Sequence, residues 1–134
     1  MFVLLEHHTP NNPAAAPAAA ANPHWDLLLE VPGHPLLPTW HLAADPCVEH
    51  GEIPAERIQD HRPHYLDYEG EVSGQRGSVR RIDRGTATVE RFDARAIVFS
   101  LDGPKLRGRF ALTPTTGTSV LRRLPPERAP TPGA

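Results

Sequence analysis

The sequence predicts an all-β domain, a small antiparallel β-barrel or sandwich with long loops and little helix. Three observations predict it. Sixteen prolines and ten glycines among 134 residues argue against long helices, because proline breaks the helical ladder and glycine weakens it. Short β-type runs follow one another through the chain. Gly/Pro/Asp turn signals separate these runs at regular spacing, which is the pattern of an antiparallel barrel or sandwich.

The elements are read in chain order. Phe2 to His7 reads as a first strand. Residues 8–23 are a Pro/Asn/Ala run broken by Pro13, Pro17 and Pro23 without apolar periodicity, so a flexible surface loop is expected. Residues 24–31 read as a second strand. Alternation puts His24, Asp26, Leu28 and Glu30 on one face and Trp25, Leu27, Leu29 and Val31 on the other. Pro32-Gly33 is a turn, and Leu36 to Leu42 a third strand. Residues 43–60 read as loop, with one short helical turn after Pro54. Strands are expected over 77–83, 86–92, 96–101, 106–112 and 119–124. The turns between them are Asp83-Arg84-Gly85, Asp93-Ala94-Arg95 and Asp102-Gly103-Pro104. Residues 125–134 read as a disordered proline-rich tail.

This length suits one compact domain over 1–124, and 39% hydrophobic content is enough for one core. No apolar run approaches the roughly 20 residues of a membrane span. Glu6 interrupts the apolar start, so no secretory signal is expected. Cys47 is the only cysteine and cannot form an internal disulfide, which suits a reducing cytoplasm; a monomer is expected. The net charge of −2 hides an asymmetry. Residues 1–75 hold eleven acids and two basic residues, Arg57 and Arg62, whereas 76–134 hold five acids and twelve basic residues. All eight histidines lie in the first 64 residues. One half offers metal ligands, the other a cationic surface that can meet a polyanion. Solvated strand faces explain the same arginines equally well.

His24 and Asp26 sit two apart on one strand face, roughly 6–7 Å at the backbone, so both can reach one ion. An imidazole with a carboxylate suits manganese, zinc or iron better than calcium. A hairpin of the first two strands would bring His7, or His8 if the strand ends one residue later, to the same end. His61 can move a proton or contact phosphate, and Tyr65 can donate a hydrogen bond. Taken alone, the segment reads better as a polar loop with Tyr65 and Tyr68 packed on the core. His8, His34, His41, His50 and His64 read as solvated loop or turn residues. Trp25 and Trp40 read as core anchors and Cys47 as inert.

Read together, the segments resemble the 3′-phosphoesterase domain of bacterial DNA ligase D and its stand-alone relatives. That family opens with a hydrophobic strand ending in His, matched by Phe2 to His7. Its His-Tyr-Asp strand followed by Leu-x-Leu-Glu is matched by His24-Trp25-Asp26 and Leu27 to Glu30. Its Ser-Trp-Ala-Val strand is matched by Thr39-Trp40-His41-Leu42. Its Asp-His-x3-Tyr-x2-Phe-Glu-Gly segment is matched by Asp60-His61, Tyr65 and Tyr68-Glu69-Gly70. A closing pattern matches Phe99 to Leu112, and the likeness spans about 2–112. The resemblance implies a small β-barrel and manganese-dependent removal of a 3′-phosphate or ribonucleotide from primer-template DNA in bacterial end joining and repair. It implies His7, His24 and Asp26 as metal ligands and His61 and Tyr65 as catalytic residues. The expected partners are DNA 3′ ends, through the basic half (Arg76, Arg80, Arg81, Lys105, Arg107 and Arg109), and a separate ligase or polymerase.

The departures are specific. The family has an arginine where this chain has Leu28, which alternation places on the face of His24 and Asp26, pointing into the site. A lysine is replaced by Ala43-Ala44, and another arginine by the Glu52-Ile53-Pro54 region. Arg57 and Arg62 are the cations left to compensate. Three readings stay open: an active phosphoesterase on DNA 3′ ends, a catalytically weakened DNA-end-binding module, and a metal phosphoesterase with another substrate.

Overall fold

A computed structural model describes residues 1–8, 24–66, 70–71, 78–115 and 118–125, with the side chains of 8, 70, 71 and 78 excepted. Of the segment expected to be flexible, 8–23, His8 belongs to the first strand, and 9–23, most of the tail and Arg76 lie outside the described residues. The strands are β1 (Phe2–His8), β2 (His24–Leu29), β3 (Leu37–Leu42), β4 (Ile53–His61), β5 (Gly70–Glu71), β6 (Ser78–Phe92), β7 (Ile97–Asp102), β8 (Arg107–Thr115) and β9 (Thr118–Leu124). A 3-10 turn, Pro63–Leu66, follows β4. The sheet runs β1-β2-β3-β4-β9-β8-β7-β6, and β1 pairs with β6 to close it. The result is an eight-stranded antiparallel barrel, with β5 added to the edge of β6. No described helix is long and apolar enough to cross a membrane.

Alternation sorts the side chains as the sequence predicts. Phe2, Leu4, Leu27, Leu29, Trp40 and Leu42 meet Phe99, Phe110 and Leu121 in the main core. Phe99 and Phe110 stand opposite each other on β7 and β8 and stack at 5.8 Å. Each such fully buried side chain contributes about 1.5–3 kcal/mol. The outward residues of β1 and β2 form a second cluster. There Val3, Leu5 and Leu28 pack with Leu37, Leu66 and Val79, and Leu66 comes from the 3-10 turn. That turn therefore covers part of the outer face.

Two segments differ from expectation. Residues 53–61 form strand β4 rather than a loop with a helical turn. Ile53 and Ala55 are buried while Pro54 and Glu56 are exposed, so the strand alternates behind a polar disguise. Pro54 needs no N–H partner there, and its carbonyl accepts from Ala43 N at 3.1 Å. The expected turn at Asp83-Arg84-Gly85 lies inside the 15-residue strand β6. Gly85 is required by close packing, because a Cβ there would stand 2.2 Å from the Asp102 carbonyl oxygen. Asp83 does serve a turn, but a distant one. Its Oδ2 accepts from Lys105 N at 2.9 Å and Leu106 N at 2.6 Å. It caps the β7–β8 connection across space.

Candidate metal centre and its pocket

The site is assembled by strand register. His7 on β1 stands directly opposite His24 on β2, and Asp26 stands opposite His41 on β3. All four point away from the barrel core, because their neighbours Leu27, Trp40 and Leu42 point into it. His24 Nε2 lies 3.0 Å from His7 Nδ1. Asp26 Oδ2 is 4.0 Å from His7 Nδ1, and Oδ1 is 4.0 Å from His24 Nε2. The donors of His7, His24 and Asp26 all fall within 4.8 Å of one another. Two donors bound to one ion at about 2.1 Å stand about 3.0–3.5 Å apart. The triangle is close to that size. Two ring nitrogens facing each other at hydrogen-bond distance share either a proton or a cation. Two imidazoles and a carboxylate fit a divalent transition metal. His7 therefore occupies the position for which the sequence offered either His7 or His8, and the His8 side chain is outside the described set.

A pocket of about 250 Å³ opens over these residues. Its polar wall is His7, His24, Asp26, His41, His61 and Tyr65, and its apolar part is Leu5, Ile58 and Val79. His61 comes from the end of β4 and Tyr65 from the 3-10 turn, and their rings meet edge-on at 5.1 Å. His61 Nδ1 is 3.0 Å from the Gln59 carbonyl oxygen. A carbonyl only accepts, so Nδ1 carries the hydrogen and Nε2 keeps its lone pair. Burial holds the His61 pKa below its ordinary 6.5, against the pull of Asp26. The ring is accordingly neutral near pH 7. Burial pushes the Asp26 carboxyl above 3.8, opposed by His41, His61 and His7 facing it. A cation at the triangle would reverse that balance by favouring the carboxylate.

His41 was read from the sequence as a solvated histidine, and the structure corrects this. It lines the pocket, with Nδ1 3.2 Å from Asp26 Oδ1. The signal was present: with Trp40 inward, alternation turns position 41 outward, and the β2–β3 hairpin sets it against Asp26. Leu28 shares the face of His24 and Asp26, as expected. It does not line the pocket, being fully buried in the second cluster. Cys47 is inert, its thiol pushed up to about 11 by burial and then by Asp45.

The cations are distributed unevenly. Arg80 and Arg81 lie opposite Glu6 and Leu5 on β1, one and two residues from the His7 register. Arg107 lies near the far end of β1, since Asp102 pairs with it and with Thr86, next to Gly85, which faces Phe2. Five residues of strand, roughly 17 Å, separate Phe2 from His7. Lys105 stands beside the same end, near Asp83. Arg109 pairs with Glu90 at 2.8 Å. Arg57 turns away from the pocket, bonding Asp60 at 2.9 Å and lying 5.0 Å over the Trp40 ring. Arg62 is exposed beside His61. No described lining residue of the pocket is a lysine or arginine.

A family profile described as the DNA ligase D 3′-phosphoesterase domain matches residues 17–114. The span contains His24, Asp26, His41, His61 and Tyr65, and His7 precedes it. No curated protein matches the chain.

Proposed function

From the chain's membership of the DNA ligase D 3′-phosphoesterase domain family, we propose that it is a metal-dependent phosphoesterase acting on DNA 3′ ends in repair. The substrate would be a 3′-phosphate or a terminal ribonucleotide. Removing the phosphate leaves a 3′-hydroxyl, the group a separate ligase or polymerase needs. The observation that carries the reading is the convergence of His7, His24 and Asp26 in one pocket with His61. Those three residues would hold manganese or another divalent transition metal. Such an ion, when bound, would activate water and neutralise charge on the phosphoryl oxygens.

The protein's own groups have separate tasks. His61, neutral and fixed through Nδ1, accepts a proton at Nε2. The Tyr65 hydroxyl donates to a phosphoryl oxygen. The apolar residues Leu5, Ile58 and Val79 keep part of the pocket dry, which strengthens those contacts. Arg62, Arg80 and Arg81 meet the DNA backbone near the reacting end. Lys105, Arg107 and Arg109 extend that surface. Phosphate contacts release counterions, so log affinity should fall with log salt by about 0.9 per contact on duplex.

The test is release of phosphate from a recessed primer bearing a 3′-phosphate, with and without manganese. The expected result is manganese-dependent release, abolished by a chelator and lowered about 10²–10⁴-fold by His61→Ala. No release with any divalent metal would overturn the enzyme. A second reading, a DNA-end-binding module, is favoured by the absence of lysine and arginine from the described pocket lining. It predicts salt-sensitive binding of the same primer-template without turnover.

A further inference from the structure

His41 touches two of the three candidate ligands with different parts of one ring. Its Nδ1 lies 3.2 Å from Asp26 Oδ1. Its face lies 3.8 Å from the His24 ring, centroid to centroid, at a tilt of 38°. The backbone that carries it is well anchored. Trp40 before it is 2% exposed in the main core, and Leu42 after it is fully buried. The His41 side chain itself is 34% exposed, while Asp26 is 5% exposed.

This geometry limits what the two ligands can do. A carboxylate turns about two torsions, and each orientation offers an ion a different oxygen. With Oδ1 held by His41, Oδ2 is the oxygen on the His7 side, 4.0 Å from His7 Nδ1. An imidazole can flip about its ring torsion, exchanging Nε2 for a carbon. A ring stacked on one face of His24 restricts that flip and keeps Nε2 toward His7, where it is found at 3.0 Å. Ordering two ligands before the ion arrives removes an entropic cost of binding.

We propose that His41 is a positioning residue of the metal centre, setting Asp26 by a hydrogen bond and His24 by stacking. The proposal rests on the metal-centre reading. Hydrogen-bond partners behind a metal ligand typically change affinity 10–100-fold. The position matched to an alanine in the family pattern here carries a side chain that supports the ligands.

The experiment is calorimetric titration of manganese alone into the metal-free protein, with the metal-free melting temperature recorded in parallel. Four variants are compared with wild type. His41→Ala is expected to weaken manganese binding about 10–100-fold, with the metal-free melting temperature little changed. His41→Asn keeps an N–H donor near Nδ1 and should recover part of the loss. His41→Phe keeps the ring face without the donor and should recover a different part. Asp26→Asn should lose more than any of them. If His41→Ala fails to fold, Asn and Phe still decide the matter, since each keeps one of the two contacts. Wild-type affinity in His41→Ala, alongside loss in Asp26→Asn, overturns the positioning role and leaves the metal centre standing. Equal, severe loss in Ala, Asn and Phe also overturns it, because His41 would then be a ligand. Absence of manganese binding in wild type removes the metal centre and this proposal together.

Discussion

On the outer face of β1 to β4, His7, His41 and His61 all act on one carboxylate, Asp26, which is 4% exposed. On β6 to β9 the arrangement is reversed, with single exposed acids facing single arginines. Arg91 has Asp93, Arg107 has Asp102, Arg109 has Glu90, and Arg122 reaches Glu52. Exposed pairs of the second kind contribute about 0–1 kcal/mol, because water screens them and side-chain entropy opposes them. A buried acid ringed by imidazoles has no such screening. It must find a proton, a hydrogen bond or a cation. Charge converges on one buried carboxylate at the candidate metal centre and disperses into separate pairs on β6 to β9.

Asp26→Asn should break this contrast most strongly. Manganese affinity should fall by more than about 100-fold, beyond the loss typical of an outer hydrogen-bond partner. The metal-free protein should respond in the opposite sense. Burial raises the Asp26 pKa in the fold above 3.8, so ionising it costs more folded than unfolded. The cost is absent below pH 3.8 and fully present once pH passes the folded value. Relative to Asp26→Asn, metal-free wild type therefore loses stability as pH rises through that window. Melting curves from pH 3 to 8 without metal check this; parallel curves for the two proteins would refute it.

Leu28→Arg comes next. The residue lies on the site's face but is sealed among Val3, Leu5, Leu37, Leu66 and Val79. An unpaired cation there should lower stability by about 3–5 kcal/mol, read by urea unfolding, rather than supply a phosphate clamp. A stable, more active variant would show that the Leu66 turn opens readily. Asp83→Ala sharpens the comparison from the other side. Asp83 is a buried acid in the basic half, but it accepts from two backbone N–H groups. Its loss should cost about 1–3 kcal/mol without altering metal binding. Arg107→Ala should do least. Its pair with Asp102 is exposed at 71% and 68%, so the change in stability should stay under about 1 kcal/mol. Its effect on primer-template affinity should be smaller than that of Arg81→Ala, measured at low salt.

The same contrast explains what the sequence revealed. Alternation exposed β1, β2 and β3, because their inward residues are large and apolar, and a hairpin was enough to bring His7 to His24. Strand β4 was hidden because only Ile53 and Ala55 of its residues are fully buried. Strand β6 was legible as two runs, 77–83 and 86–92, and only its continuity was hidden, because Asp83 and Gly85 resemble a turn while acting across space at the β7–β8 connection. His41 was hidden for another reason. Its partner is 15 positions away, and its role appears only once the β2–β3 register is fixed. The cover over Leu28 comes from Leu66, a contact that no local pattern encodes.

The central claim is that His7, His24 and Asp26 form one metal centre. Crystals soaked in manganese and measured for anomalous scattering test it most directly. The account predicts a single strong peak, about 2.0–2.2 Å from a nitrogen of each histidine and from one Asp26 oxygen. A peak held by other residues, or none at saturating manganese, would contradict it.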